Sequence, residues 1–259
     1  MNPVLTLDHV SYSYHTPSGE TPALKDVSFS VRPGSFTSIA GPSGCGKSTL
    51  GRGVCKLENL TSCHVYLDGE DITEYNDRRM RSVRKKVQMV FQDPYASLNP
   101  RMSVFDIIAE PLLVHHLYQD KADLEKKVLD LLHRVGLDDY HANRYPHEFS
   151  GGQRQRVAFA RALAPNPQVL LLDEPFAAID AKVRTELRSW LKEMVEKLGI
   201  TSIFVTHDQD EAVEVADEII ITNHGTIEQM GMPVEIYKSP GTPFVAKFIG
   251  RSSVVEEYG

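Results

Sequence analysis

The ten residues Gly41–Leu50, GPSGCGKSTL, directly follow the apolar segment SFTSIA and decide how the chain is interpreted. Gly41, Gly46, Lys47 and Ser48 fill every required position of the pattern GxxxxGK[ST]. Glycines let the backbone wrap closely around an anion, so that successive N–H groups point at phosphate oxygens. The apolar segment predicts a strand before the loop, and a helix that begins after it adds its positive N-terminal dipole. The stretch therefore predicts a loop for a polyphosphate, with Lys47 at the β- and γ-phosphates and Ser48 on Mg²⁺.

The composition is that of a globular protein with a substantial core. Of the 259 residues, 41% are hydrophobic and 24% are charged, which suits one large α/β domain or two small ones. A net charge of −7 argues against nucleic acid as the main partner, because phosphate backbones favour basic surfaces, although a local basic patch is compatible with it. Three cysteines without a CxxC pair predict reduced thiols rather than a disulfide framework. We expect neither a secretory leader nor a membrane-spanning segment, although docking on a membrane protein is compatible with the sequence.

Hydrophobic patterning predicts strands that alternate with helices. VLTLDHVSYSY and ALKDVSFSV alternate apolar and polar residues, as half-buried strands do. From about Asp93 to Pro146 the apolar spacing becomes helical, which indicates a helical subdomain inserted between strands of the main sheet. VLLLDEP contains four apolar residues followed by two acids, a pattern typical of a central parallel strand. The expected fold class is α/β, with a largely parallel sheet and helices on both of its faces.

The acids that follow this apolar strand suit a nucleotide site. Asp173 at the strand end can hold Mg²⁺ through water, and Glu174 can polarise a water molecule near the γ-phosphate. The alternative is a strand that simply ends in exposed acids. The phosphate loop earlier in the chain favours the functional interpretation.

A second glycine-rich segment, FSGGQRQR, covers Phe149–Arg156. Ser150, Gly151 and Gly152 predict another small anion nest at the start of a helix. One nucleotide does not need two nests in the same site, so the second nest makes sense if it closes over the nucleotide of another copy. Taken alone, an ordinary Ser-Gly-Gly helix start is the simpler interpretation.

GPSGCGKST, FSGGQ, VLLLDEP and VTHD, in this order, resemble the ATP-binding subunits of ATP-binding cassette (ABC) transporters over essentially the whole chain. The resemblance implies a P-loop NTPase core with a mostly parallel sheet, an N-terminal antiparallel β subdomain and an inserted helical subdomain. It implies one cassette domain over residues 1–259, with the core in 1–92 and 157–259 and the SGGQ-bearing helical subdomain in 93–156. It also implies an ATPase that dimerises head to tail, with two ATP molecules between the phosphate loop of one subunit and the SGGQ of the other.

The resemblance also assigns roles to single residues. Tyr14 stands at the position of the aromatic ring that stacks on adenine, with Tyr12 as the alternative. Gln92 matches the glutamine that contacts Mg²⁺ and the attacking water and that links to the membrane partner. Asp180 matches an acid that acts across the dimer, and His207 matches the histidine that contacts the γ-phosphate.

Together these arguments define an expected site for ATP and Mg²⁺. The expected catalytic residues are Lys47, Gln92, His207 and, as general base, Glu174. The expected Mg²⁺ ligands are Ser48, Gln92 and Asp173. The residues expected to contact ATP are Tyr14, Gly41, Pro42, Ser43, Gly44, Cys45, Gly46, Lys47, Ser48, Thr49, Ser150, Gly151, Gly152, Gln153 and Asp180.

Exporters of this family commonly fuse the ATPase to a membrane domain. Because the sequence shows no membrane-spanning segment, import is the expected direction of transport. The expected protein is cytoplasmic and peripheral on the inner face of the cell membrane. Its expected partners are separate integral membrane permease subunits and a second copy of itself or a homologous ATPase. No nucleic acid is expected among the partners.

The segments of the chain point to different cargoes. FQDPYASLNPRMSVFDIIAEPL resembles the ATPases of dipeptide, oligopeptide and nickel importers, whereas FTSIAGPSGCGKSTL and the last third of the chain resemble those of sulfonate and sulfate-type importers. Because membrane partners of the family dock against the segment after Gln92, peptide or nickel import is slightly preferred. Oxyanion import and a soluble, non-transporting cassette ATPase are the alternatives.

Overall fold

The computed structural model describes residues 2–16, 19–57, 62–93, 97–177 and 179–250. The chain packs into two compact units, one formed by residues 1–73 and 203–259 and the other by residues 74–202. Within the described ranges, no helix combines the length and the apolar character needed to cross a membrane.

Strands and helices alternate along much of the chain. The strands are β1 (Leu5–Thr16), β2 (Gly19–Val31), β3 (Phe36–Ala40), β4 (Ser62–Leu67), β5 (Glu70–Asp71), β6 (Val87–Val90), β7 (Val169–Asp173), β8 (Thr201–Thr206), β9 (Glu218–Asn223) and β10 (Thr226–Gly231). The α-helices are α1 (Lys47–Val54), α2 (Asp77–Lys86), α3 (Val104–Val114), α4 (Lys121–Arg134), α5 (Gly151–Leu163), α6 (Ala181–Leu198), α7 (Gln209–Val215), α8 (Pro233–Lys238) and α9 (Pro243–Ile249). Short 3-10 helices cover Asp139–His141 and Pro146–Glu148.

The first unit contains an antiparallel sheet with the strand order β2-β1-β4-β5. Leu5 and Leu7 of β1 point to the core with the period of two expected of a half-buried strand. The register between β1 and β2 shifts after Leu7, where His9 adopts φ 51, and Val10 is again fully buried. This irregularity keeps apolar side chains on the core face. The predicted N-terminal antiparallel sheet is confirmed.

The same unit contains the strand order β10-β9-β3-β8. β3 runs parallel to β9, and all five of its residues are buried, including the polar Thr37 and Ser38. The backbone N–H of Phe36, the first residue of β3, donates to Asp217 Oδ2 at 2.8 Å. β9 and β10 form an antiparallel hairpin. β3 is thereby fixed at its start, and its last residue, Ala40, leads directly into the glycine-rich loop.

The second unit contains the parallel pair β6 and β7 together with helices α2 to α6. All five residues of β7 are buried, as the apolar run VLLL predicts. In α5, Phe159 is fully buried and its ring contacts Trp190 of α6 edge-on at 5.4 Å. The guanidinium of Arg156 lies over the Trp190 ring, 4.5 Å from its centroid.

The predicted α/β class with a mostly parallel sheet is confirmed. Helices α3, α4 and the beginning of α5 lie in the region 93–156 that the sequence assigns to a helical subdomain. The exact division into a core and this subdomain stays a prediction.

Candidate functional site

The predicted site residues fall into two groups, one in each unit. Tyr14, the loop 41–49 and His207 belong to the first unit. Gln92, Ser150–Gln153, Asp173, Glu174 and Asp180 belong to the second unit.

The phosphate loop connects the end of β3 to the first residue of α1. Gly46 is the N-cap of α1 and has the left-handed φ of 94 and ψ of 2, and no side chain caps this helix end. An L side chain rarely adopts that φ, and a Cβ at Gly46 would also overlap the carbonyl oxygen of Ala23. A helix N-terminus without a capping side chain is the arrangement that binds anions in many proteins.

Lys47 places a cation inside this loop. Its side chain is buried, with 4% of the residue exposed. Nζ donates to the carbonyl oxygens of Gly41 at 2.8 Å and Pro42 at 2.7 Å, and it lies 3.5 Å from Cys45 Sγ. A buried ammonium needs such acceptors, because an unpaired charge away from water is strongly unfavourable. The Lys47 ammonium is thus held inside the loop by carbonyl oxygens, in the place where phosphate oxygens are expected to bind.

Tyr14 is the tyrosine that reaches the phosphate-loop helix. Its hydroxyl is hydrogen-bonded to Thr49 Oγ1 at 2.8 Å, and 38% of the residue is exposed. Tyr12 packs edge-on against the Tyr14 ring at 4.9 Å. The stacking of Tyr14 on adenine stays a prediction, with Tyr12 as the alternative.

His207 directly follows β8 and is flanked by two residues that are hydrogen-bonded to the start of α7. Thr206 Oγ1 donates to Glu211 Oε2 at 2.6 Å and accepts from the N–H of Asp208 at 3.0 Å. Asp208 Oδ1 accepts from the N–H groups of Asp210 and Glu211 and so caps α7. These bonds restrain the backbone on both sides of His207.

Glu211 is not among the residues that the sequence motifs predict for the site. It is only 5% exposed, and its carboxylate accepts the hydroxyl of Thr206, which lies next to the predicted γ-phosphate contact. The signal available in the sequence was an acid three residues after Asp208, since an N-cap residue followed by Glu at this spacing marks a helix start.

In the second unit, β7 carries the two predicted acids. Asp173 is its last residue and is 3% exposed. Glu174 follows with φ 44, a left-handed conformation that is strained for a residue with a side chain. Gln92 Nε2 donates to Glu174 Oε2 at 3.2 Å. The structure therefore brings together the predicted general base and the predicted water-orienting amide.

The SGGQ segment forms a capping box at the start of α5. Ser150 Oγ accepts from the N–H of Gln153 at 3.3 Å, and Gln153 Oε1 accepts from the N–H of Ser150 at 3.1 Å. Gly152 packs so closely on α6 that a Cβ would lie 2.9 Å from Val183 Cγ1. Part of this motif thus caps α5 and allows it to pack closely on α6, in addition to its predicted contact with ATP.

Two charged residues, Asp180 and Arg154, lie at the start of α6 and in α5. Asp180 is exposed at the N-cap of α6 and makes no side-chain capping bond. Arg154 of α5 is 6% exposed and donates from Nε to the carbonyl oxygen of Pro146 at 2.6 Å, and burial lowers the pKa of its guanidinium. Asp180 is available to a partner, whereas Arg154 serves the packing of its own unit.

The donor types at the predicted metal site suit Mg²⁺. Ser48, Gln92 and Asp173 offer hydroxyl, amide and carboxylate oxygens, the ligands this hard cation prefers. Among the described residues, no group of three or more His, Cys, Asp or Glu side chains is arranged to hold a metal ion. Mg²⁺ in nucleotide sites is held by one or two carboxylates together with substrate phosphates and water, so a cluster of acids is not required.

Comparison with known proteins gives consistent matches. The chain is 48% identical over 234 residues to the sulfate/thiosulfate import ATP-binding protein CysA of Cucumis sativus, covering 90% of this chain and 65% of the relative. It is 40% identical over 247 residues to the oligopeptide transport ATP-binding protein OppF of Bacillus subtilis, covering 95% of this chain and 81% of the relative. The chain therefore spans slightly less than two thirds of the length of the CysA relative.

A solved structure with the same fold is a dimeric ATP-binding cassette in a post-hydrolysis state bound to ADP and Pi. It superimposes with a TM-score of 0.80 at 33% identity, covering 88% of this chain and 98% of the other. The family model described as ABC transporter matches residues 24–177, which is more than half of the chain. The chain belongs to the ABC transporter family.

Proposed function

We propose that the protein binds ATP with Mg²⁺ and hydrolyses it. The observation that carries this proposal is the buried ammonium of Lys47, hydrogen-bonded within a loop whose following helix has no capping side chain. A buried cation at the N-terminus of a helix is complementary to a polyphosphate. The similar cassette of known structure is bound to ADP and Pi, which supports the same chemistry here.

The second group of residues supplies the remaining roles. Together with Ser48 of the first group, Asp173 and Gln92 are the proposed ligands of Mg²⁺, which neutralises charge on the transferred phosphoryl group when bound. Glu174 is the proposed general base that takes a proton from water as the water oxygen attacks the γ-phosphorus and ADP leaves. The bond from Gln92 to Glu174 supports this role, because the amide orients the carboxylate.

Steady-state hydrolysis of Mg²⁺-ATP by the purified chain tests the proposal. We expect Glu174→Gln to bind ATP as the unchanged protein does but to lower kcat by about 10²–10⁴-fold, the usual contribution of a general base. Glu193→Gln is the matched control, because Glu193 lies exposed on α6. Equal turnover by Glu174→Gln and the control would exclude the base role, and failure of the unchanged protein to bind ATP would exclude the function itself.

We further propose that two copies close head to tail around ATP. The dimeric state of the similar cassette supports this arrangement, and the exposed position of Asp180 is compatible with a contact across such a dimer. Light scattering of Glu174→Gln with and without Mg²⁺-ATP provides the test. A dimer that forms only with nucleotide is expected, and an ATP-loaded variant that remains monomeric would contradict the proposal.

We also propose that ATP hydrolysis drives an importer through separate permease subunits at the inner face of the cell membrane. The similarity to CysA and OppF, an import and a transport ATP-binding protein, supports this role. Affinity purification of the tagged protein from detergent-solubilised membranes, followed by mass spectrometry, is the test. Recovery of permease subunits is expected, whereas a soluble ATPase without a membrane partner would favour a non-transporting cassette.

The relatives support two cargo classes to different degrees. Identity to the sulfate/thiosulfate protein is 48%, against 40% for the oligopeptide protein. These values favour oxyanion import over the peptide or nickel import that the segment after Gln92 suggested. We therefore propose a sulfate-type oxyanion as the first cargo to test, with oligopeptides as the second. The family of the recovered permease distinguishes them.

A further inference from the structure

Two glycines with left-handed φ closely approach the carbonyl oxygen of Ala23 in β2. Gly46 closes the phosphate loop with φ 94, and Gly225 lies in the turn between β9 and β10 with φ 84. A Cβ at Gly46 would overlap this oxygen, and a Cβ at Gly225 would lie 2.7 Å from it. We call these three residues the Ala23 junction. The loop, β2 and the turn are therefore in direct backbone contact.

A hydrogen bond fixes the turn to β2 beside this junction. The N–H of Lys25 donates to the carbonyl oxygen of Gly225 at 2.8 Å. Because Ala23 lies two residues before Lys25 in the same strand, the turn determines where the Ala23 carbonyl lies against Gly46. Gly46 in turn is the N-cap of α1, whose first N–H groups are the proposed phosphate donors.

The same hairpin contacts the other end of the loop through Thr222 of β9. Thr222 is 4% exposed, and its Oγ1 donates to the carbonyl oxygen of Ala40 at 3.3 Å. The same hydroxyl lies 3.1 Å from Cys45 Sγ, within hydrogen-bonding distance. The backbone oxygen of Thr222 lies so close to Gly41 that a Cβ there would overlap it. The hairpin thus touches the loop where it begins, near its middle and, through β2, where it ends.

We propose that the β9–β10 hairpin positions the phosphate loop, with Thr222 and Gly225 as positioning residues for nucleotide binding. Neither residue belongs to the GxxxxGK[ST] pattern, and neither contact involves the nucleotide. Fixed N–H groups bind an anion well only if the surrounding structure holds them within a few tenths of an ångström of the required geometry. The hairpin supplies that support from a segment about 180 residues away in sequence. This inference rests on the proposed binding of ATP.

Gly225→Ala, compared with Gly69→Ala, tests the inference. Both glycines have left-handed φ, 84 and 79, so both variants carry the same kind of backbone strain. A Cβ at Gly69 meets no atom within 4 Å, whereas the one at Gly225 presses on Ala23. We expect both variants to melt at lower temperature but only Gly225→Ala to lose affinity for Mg²⁺-ATP, by about tenfold, or ~1.4 kcal/mol.

Thr222→Val and Thr222→Ser form a second, independent pair that applies even if Gly225→Ala does not fold. Valine removes the hydroxyl that bonds Ala40 and Cys45, and serine keeps it. We expect Thr222→Val to weaken Mg²⁺-ATP binding by about threefold to tenfold, as a lost hydrogen bond implies. Thr222→Ser should bind Mg²⁺-ATP as the unchanged protein does. A role in stability alone would move the melting temperature without this pattern of affinities.

The outcomes separate the inference from the function on which it rests. If the unchanged protein does not bind Mg²⁺-ATP in isothermal titration calorimetry, the proposed function fails and the inference fails with it. If the unchanged protein binds and Gly225→Ala binds as tightly as Gly69→Ala, only the positioning role is overturned. Equal affinity of Thr222→Val and Thr222→Ser would overturn the role of Thr222.

Discussion

Replacing Thr206 by valine tests whether its buried hydroxyl restrains the segment that carries His207. Thr206 is 1% exposed, and its Oγ1 donates to Glu211 Oε2 at 2.6 Å and accepts from the N–H of Asp208 at 3.0 Å. Valine has nearly the same shape but makes neither bond. A hydrogen bond to a charged group contributes about 1.5–3 kcal/mol and a neutral one about 0.5–1.5 kcal/mol. We therefore expect the variant to lose about 2–4 kcal/mol of folding free energy.

Thermal unfolding followed by circular dichroism measures this loss. For a chain of this size each kcal/mol shifts the midpoint by about 2–4 °C, so the expected fall is about 4–16 °C. Thr206→Ser is the control, because serine keeps the hydroxyl and loses only a methyl group. We also expect slower ATP hydrolysis by Thr206→Val at a temperature where it is fully folded, because His207 follows Thr206 directly. Identical midpoints for the two variants would refute the reasoning.

Three further predictions follow from contacts in the two units. Tyr14→Phe removes the 2.8 Å bond to Thr49 and should weaken Mg²⁺-ATP binding by about threefold to tenfold in calorimetry; unchanged affinity would argue against a role for this hydroxyl. Phe159→Ala deletes a fully buried ring and should lower the folding free energy by about 3–5 kcal/mol, visible as a lower melting temperature, and an unshifted midpoint would contradict the packing. Arg156→Ala removes the cation 4.5 Å from the Trp190 centroid, so the emission of this single tryptophan should change, and an identical spectrum would contradict the contact.

Features encoded by neighbouring residues were predictable from the sequence. The helical apolar spacing from about Asp93 to Pro146 predicts helices, and α3 (Val104–Val114) and α4 (Lys121–Arg134) lie within that range. The run VLLLD predicted a buried strand, and β7 is buried throughout. The glycine-rich pattern predicted a strand, a loop and a helix, and α1 begins at Lys47. In each case the hydrophobic period or the turn chemistry lies within one short window, so no knowledge of distant contacts is needed.

Contacts between distant residues could not be predicted in this way. The bond from Phe36 to Asp217 joins residues 181 positions apart, and the contact of Cys45 with Thr222 spans 177 positions. No local pattern marks Thr222, because a threonine in a buried strand next to isoleucines is ordinary for a strand. Gly225 in the dipeptide His-Gly signals a turn but not the strand on which that turn packs. The support of the site therefore requires the fold, whereas its chemistry can be read from the motifs.

The backbone at Glu174 supports a catalytic role for that carboxylate. A left-handed φ of 44 at a residue with a side chain costs about 1–3 kcal/mol, and glycine or asparagine would carry much less of this strain. The position is strongly determined, because Asp173 before it and Phe176 shortly after it are buried. If the turn served only to end β7, a residue suited to that conformation would make the protein more stable. We therefore propose that glutamate is kept at this strained position, hydrogen-bonded by Gln92, for the chemistry of its carboxylate.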